Sequence, residues 1–442
     1  MGKDAGSRRN PDDLRWASDH RARSLSTLCD SSAEALGAAH TRNSNFSRLS
    51  GGFVKVLHIL AYFAPAFVYG GPPRTVFGLC RALQRAGVDV EVFTTTANGS
   101  CDFPPSPESG ERFEGIPVHY FARHFPKQFF RAPDLAAALS TSVRHYDLVH
   151  VHGLWNFTVW SAVQVVRKSS VPYIVSPRGM LDSGSLAHQK WRKIVGYHLI
   201  ERSGLEGAAR LHATSDYEMR RLATLGFADK TFELPNGVDV PSGTPVLGCF
   251  RRRINVEQSA PLVTYLGRIH PTKRLDLLAA AFQRVHADCP TARLVIAGPD
   301  DEQSQHKLRP LFEPFAAAVT WTGELTPEEK WTLLHDSTVL VMCSNSESFG
   351  VAVVEAMAAR VPVVVTRSCP WQVIESAQCG FWVEQDAAAI SKALHHIIYN
   401  SSEAAEMGLR GFALAKAQYS WSSIGAAMLN RYGEVLAERR VG

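Results

Sequence analysis

The sequence predicts an α/β protein of two doubly wound domains that face each other across a cleft. Three observations carry this. From Val54 onward, short β-rich apolar runs alternate with helical stretches, the rhythm of βαβ units on a parallel sheet. That rhythm breaks at LPNGVDVPSGTPVLG (234–248), dense in Pro and Gly, and then restarts. The chain has 442 residues, too many for one ordinary domain and suited to two with separate cores.

In the first domain, 54–240, VKVLHIL (54–60) reads as a strand. RTVFGLCRALQRAG (74–87) reads as a helix closed by Gly87 at its C′ position. VDVEVFTT (88–95), DLVHVHG (147–153), PYIVSP (172–177) and RLHATS (210–215) read as further strands. A linker follows at 241–260. The second domain, 261–418, repeats the style with PLVTYLGRI (261–269), ARLVIAGP (292–299), AVTWTG (318–323), STVLVMCS (337–344) and VPVVVT (361–366). The segment 419–442 reads as one long amphipathic helix. Residues 1–50 are polar, rich in Arg, Ser and Asp, and aperiodic, which predicts a disordered extension. Asp4, Asp12, Asp13 and Asp19 argue against a transit peptide.

Hydrophobic residues make up 45% and charged residues 20%, a soluble globular balance. Net charge is +5, which favours anionic small molecules or an anionic membrane surface. No block of like charge marks a nucleic-acid arm. The eight cysteines form no CxxC pair, which predicts a reducing, cytoplasmic compartment and no zinc site. No apolar run reaches the roughly 18 residues of a spanning helix, and no signal-peptide core is present.

The most informative stretch is ESFGVAVVEAMAARVPVVVT (347–366). STVLVMCS ends a strand and EAMAARVP belongs to a helix. Gly350 lets the backbone turn between them and approach a ligand. A helix starting near Phe349, Gly350 and Val351 aims free N–H groups and its positive end into the crevice, an anion site. Glu355 lies about one turn in, on an apolar helix. Burying a lone carboxylate costs several kcal/mol, roughly, unless it is paired. The two hydroxyls of a ribose satisfy it, and Glu347 can accept from sugar hydroxyls at the far end of a diphosphate. Either glutamate alone reads as a surface acid; the pair, the glycine and the strand–loop–helix context together point to a ligand.

LGRIHPTKR (266–274) puts Arg268 and Lys273 on a loop at a strand's carboxyl end. Two fixed cations there suit a diphosphate. YGGPP (69–73) offers Gly70 and Gly71, whose N–H groups can meet a phosphate; a plain turn is the simpler reading. HVHGLW (150–155) ends a strand with His150 and His152, a metal pair without a third ligand at a persuasive spacing. SPRGMLDSGSLAHQKWRK (176–193) carries Arg178, for donor phosphates, an acidic acceptor or a structural salt bridge. It also carries Lys190, Trp191, Arg192 and Lys193, for anionic lipid or a solvated helix face. PDDE (299–302) reads as a surface turn, and no Asp-x-Asp occurs. In TGELTPEEK (322–330), Thr326 and Glu329 fit a capping box.

Glu347 and Glu355, with the small-residue helix and Pro-led strand that follow, resemble the signature of the retaining nucleotide-sugar glycosyltransferases of family 4. The resemblance covers roughly 54–435. It implies the GT-B fold, two Rossmann-like domains, with the last helix crossing back to the first. It implies that Arg268 and Lys273 stabilise the departing nucleoside diphosphate and that His152 touches the donor sugar. It puts Asn236 at the domain linker, lining the cleft or serving as a turn, and backbone groups around Leu325 on the nucleobase. The family often has a glutamate soon after the glycine pair; here Pro72 and Pro73 stand instead. The expected activity is metal-independent transfer of a hexose, with no cofactor, from a nucleoside-diphosphate sugar to a hydroxyl acceptor. SPRGML and CPWQVIE (369–375) resemble the exopolysaccharide and lipopolysaccharide branch, which implies a glycan or lipid-linked glycan acceptor and a place on the inner face of the membrane. A nucleotide-sugar epimerase and a non-catalytic sugar-nucleotide binder are the alternatives.

Overall fold

The computed structural model describes residues 54–107, 109–181, 196–241, 246–301 and 303–441. The expected extension 1–50 and the basic patch at Lys190, Trp191, Arg192 and Lys193 lie outside the described residues.

The first sheet contains β1 (Lys55–Ile59), β2 (Asp89–Thr95), β3 (Glu111–Phe113), β4 (Ile116–Phe121), β5 (Leu148–His152), β6 (Tyr173–Ser176), β7 (Arg210–Ala213) and β8 (Thr231–Glu233). Their order is β3-β4-β2-β1-β5-β6-β7-β8. Every pair is parallel except β3 with β4. The second sheet contains β9 (Leu262–Leu266), β10 (Arg293–Ala297), β11 (Val319–Gly323), β12 (Val339–Met342), β13 (Val363–Thr366) and β14 (Gly380–Val383), in the order β11-β10-β9-β12-β13-β14, all parallel. Strand order reverses between β1 and β5 and again between β9 and β12. Crevices for ligand open at the carboxyl ends of strands at such points.

The strands read as nearly continuous apolar runs because helices cover both faces of each sheet. In the second sheet Val263, Leu294, Ile296 and Val341 pack in one core, while Leu340, Met342, Val363 and Val365 join the helix Val351–Ala358 in another. The helix Gly71–Arg85 starts on Pro72 and Pro73, which fit a first turn whose N–H groups have no intrahelical partner. Gly87, at φ +87°, ends it in the expected left-handed conformation.

Three features differ from or extend the sequence reading. The β3–β4 hairpin went unanticipated; its two-residue loop, Glu114–Gly115, has positive φ at both residues, as tight hairpin turns require. The expected linker 241–260 holds a short helix, Cys249–Arg253. The Asp336 carboxylate fixes it by accepting from the N–H groups of Gly248, Phe250 and Arg251, a negative charge at a helix start. The helix Trp421–Val441 packs along Gly71–Arg85, where a Cβ on Gly78 would meet the Trp421 ring at 2.1 Å. Tyr432 also reaches His150, Oη to Nδ1 at 2.8 Å. No helix among the described residues is long and apolar enough to cross a membrane.

Candidate active site

The loop from β12 to the helix Val351–Ala358 is held at many points. Gln385 Nε2 donates to the carbonyls of Cys343 and Ser344, and Ser368 Oγ to that of Ser344 at 2.5 Å. Trp371 Nε1 donates to the Phe349 carbonyl at 2.5 Å, and Phe349 is itself buried against Trp371 and Tyr419. Gly350 adopts φ +82°, ψ +67°, open to glycine at little cost, and Val351 begins the helix. With the carbonyls tied down, the helix's free N–H groups keep a fixed direction.

Two lysine–glutamate pairs flank that loop. Lys273, in the turn Pro271–Lys273 after β9, is bonded to Glu347; their side chains are only 17% and 13% exposed. Ser344 Oγ donates to the same Glu347 oxygen at 2.8 Å. Glu355 does not point into bulk water: Lys330 Nζ meets it at 2.5 Å, and its side chain is 13% exposed. A lysine has three donors, so the contact to its glutamate leaves each with further N–H groups. The loops after β9 and β12 are joined by Asn345 N–H to the Thr272 carbonyl at 2.8 Å.

Arg268 is separate from these pairs. It is more than half exposed and bonds Asp301 at 2.5 Å. Its charge acts on Tyr62, on the first domain's side of the cleft. The PDDE turn thus supplies the carboxylate that anchors this arginine. Leu325 is half-buried, packed against the core around Phe250 and Leu333. Beside it the capping box forms as expected between Thr326 and Glu329.

In the first domain, Leu60, Ala61, Tyr62, Pro72, His152, Gly153, Asn156, Arg178 and Met180 line a concavity of about 290 Å³. Gly70 and Gly71 lie at its edge, where an added Cβ would meet nothing within 4 Å. Donors are few there: the Gly70 N–H goes to the Phe67 carbonyl, and Pro72 and Pro73 have none.

Beneath the concavity lies a buried polar chain. Arg178 Nη1 donates to Asn236 Oδ1 at 2.6 Å and Nη2 to His152 Nδ1 at 3.2 Å. A guanidinium only donates, so His152 carries its proton on Nε2. That proton goes to His58 Nδ1 at 2.9 Å, and His58 Nε2 is left buried without a partner. Arg178 thus lines the concavity while its two Nη groups are engaged by Asn236 and His152. Burial pushes it down to about 10, against the pull of Glu218. Burial first, then Arg178, lowers His58 to about 3 and His212 to about 3. His150 and His152 are held well below their usual range by burial, neighbouring imidazoles and Arg178.

His58 is the third histidine the sequence did not bring to His150 and His152. The β1–β5 register sets His58 opposite His150, and ligand atoms of the three come within 4.8 Å of one another. The arrangement is a poor fit for a cation. His58 and His152 already share a hydrogen bond, and the fixed Arg178 charge would oppose a dication.

Comparison with known proteins agrees with this architecture. A family description of glycosyl transferases group 1 matches residues 250–412, and a glycosyl transferase 4-like domain matches 70–237. A D-inositol 3-phosphate glycosyltransferase of Kineococcus radiotolerans is 30% identical over 325 residues, 67% of this chain and 72% of the relative. A GDP-mannose-dependent monoacylated alpha-(1-6)-phosphatidylinositol monomannoside mannosyltransferase of Corynebacterium glutamicum is 28% identical over 49% of this chain and 60% of the relative. Among solved structures, sucrose-phosphate synthase of Thermosynechococcus elongatus superposes with TM-score 0.68 at 22% identity, covering 87% of this chain and 100% of that one. Anabaena HepE in complex with UDP and glucose gives 0.64 at 18%, covering 86% and 99%. With both domains matched and a relative 30% identical over most of its length, the chain belongs to the group 1, family 4 glycosyltransferases and has the GT-B fold.

Proposed function

We propose that the protein transfers a hexose from a nucleoside-diphosphate sugar to a hydroxyl of a membrane-linked glycan, with retention of anomeric configuration and without a metal. The observation that carries this reading is the pair of half-buried lysine–glutamate contacts around one helix N-terminus. Glu355 would hold the ribose, with the nucleobase beside Leu325. Glu347 would accept from sugar hydroxyls. Lys273, Arg268 and the N–H groups near Val351 would face the diphosphate as negative charge builds on it. Preorganised donors of that kind are worth about 10²- to 10³-fold each in rate. The concavity at His152, with Gly70 and Gly71 at its edge and Arg178 and Asn236 behind it, would receive the acceptor. We assign no described side chain as a nucleophile toward the sugar; a departing phosphate oxygen would take the acceptor's proton as the new bond forms on the same face.

The inositol-phosphate glycosyltransferase and the GDP-mannose-dependent phosphatidylinositol mannoside mannosyltransferase among the relatives favour lipid- or inositol-bearing acceptors and nucleotide-sugar donors. The test is turnover of Lys273→Ala and Glu347→Ala with a panel of labelled sugar nucleotides and a lipid extract. A loss of about 100-fold or more in folded variants supports the reading. Full turnover in both would overturn it. Isomerised donor without transfer would indicate an epimerase, and saturable binding without turnover a non-catalytic binder.

A further inference from the structure

Soluble domains bury most large apolar side chains, and those left exposed carry information when they cluster. Eleven large hydrophobic side chains are exposed among the described residues. Five of them, Val68, Phe125, Phe129, Trp160 and Ile200, follow one rim of the first domain.

The rim is continuous. His124 N–H donates to the Arg131 carbonyl at 2.7 Å, closing a loop whose tip carries Phe125, 84% exposed, and Phe129, 56% exposed. Phe130, at φ +51°, turns the other way, with its ring 5.4 Å from Tyr62 and 5.9 Å from Tyr69. Tyr62 lines the concavity at His152, and Val68 precedes Tyr69. On the other side Thr158 donates to the Phe130 carbonyl, Arg131 lies over the Phe157 ring at 5.8 Å, and Phe157 meets Trp160 at 5.5 Å. Trp160 and Ile200 flank a second concavity of about 240 Å³. Trp160 and Ile200 thus border the second hollow, and Phe130 ties the loop that carries Phe125 and Phe129 to Tyr62 at the first.

Charge selects the partner. The stretch 122–134 holds Arg123, Lys127 and Arg131 against one acid, Asp134, which meets His124. Asp102 neutralises the inward Arg123, while Lys127, which also reaches Asp102, remains 62% exposed at the loop tip between the two phenylalanines. Protein interfaces favour aromatics and Arg but avoid Lys. Protruding Phe and Trp beside Lys and Arg match an interfacial membrane site, where rings enter the headgroup region and cations meet anionic lipid.

We infer that this rim docks the first domain on an anionic bilayer, with Phe125 and Phe129 inserted and the mouth of the His152 concavity held at the lipid surface. The inference rests on the proposed membrane-linked acceptor and names the surface that would reach it.

The test is sedimentation of the purified full chain with phosphatidylcholine vesicles, with and without phosphatidylglycerol. A parallel thermal-shift measurement uses UDP and GDP. The wild type should bind the mixed vesicles and release them at high salt. Phe125→Ala/Phe129→Ala should bind about 10-fold or more weakly, because both rings lose their burial in the bilayer. Both side chains are solvent-exposed, so the double variant should fold and keep its nucleotide-induced shift. Equal vesicle binding by the two proteins, or none by the wild type, overturns the inference. So does concentration-dependent dimerisation that the double variant abolishes, because the rim would then face a second copy. An absent shift with either nucleotide counts against the transferase reading instead, whatever the vesicles show.

Discussion

Lowering the pH from 7 to 5 should destabilise the first domain through its buried histidines. Each imidazole is held neutral in the fold but takes a proton near pH 6.5 once unfolded. Its contribution is therefore complete above pH 6.5 and is lost as pH falls toward the folded value. At pH 5 the loss is RT ln(1 + 10^1.5), about 2 kcal/mol for each histidine whose folded value is far lower. His58 and His212, both lowered to about 3, together lose about 4 kcal/mol. His150 and His152 are shifted the same way. Glu201 opposes them. Burial raises it to about 7, so its contribution grows as pH falls, by about 2 kcal/mol over this range. His58, His212 and Glu201 by themselves leave a net loss of about 2 kcal/mol, a large share of a domain's usual 5–15 kcal/mol. Urea unfolding at the two pH values, with hydrogen exchange on β1, β5 and β7 to isolate the first domain, measures it. His212→Gln supplies the control. Its amide can still donate to the Leu234 carbonyl, which His212 Nε2 meets at 2.8 Å, and it takes up no proton. The pH-dependent loss should shrink by about 2 kcal/mol in that variant. Equal stability at both pH values, or an unchanged slope in His212→Gln, would refute the reasoning.

Gly350→Ala should lower the melting temperature and cost about 1–2 kcal/mol or more, because the site needs φ +82° and a Cβ would meet Met342 Sδ at 2.9 Å. Lys330→Met should weaken UDP or GDP binding about 10-fold by calorimetry, since Glu355 loses its cation in a half-buried place; unchanged affinity would detach this pair from the nucleotide. Tyr432→Phe should cost about 1–3 kcal/mol in urea, because His150 Nδ1 loses its bond and Nε2 already lacks one.

Local patterns determined a large part of this protein. Apolar runs gave strands within a residue or two of β1, β2, β5, β6, β7, β10, β11, β12 and β13, and overran the end of β9 by three residues. Gly87 and the Thr326–Glu329 box marked helix ends. The glutamate spacing located the β12 loop and the helix start at Val351. Such signals are readable because backbone periodicity and end groups depend on neighbours in sequence. Partnership was decided elsewhere. Lys330 for Glu355, Asp301 for Arg268, His58 for His152 and Tyr432 for His150 lie 25, 33, 94 and 282 residues apart. Nothing in their own segments distinguishes them from ordinary surface charges or core rings. Parallel strand register and the crossing of the last helix bring them together. Once buried there, each polar group must find its partner among the few that register supplies, so the identity of the site's second member belongs to the tertiary structure alone.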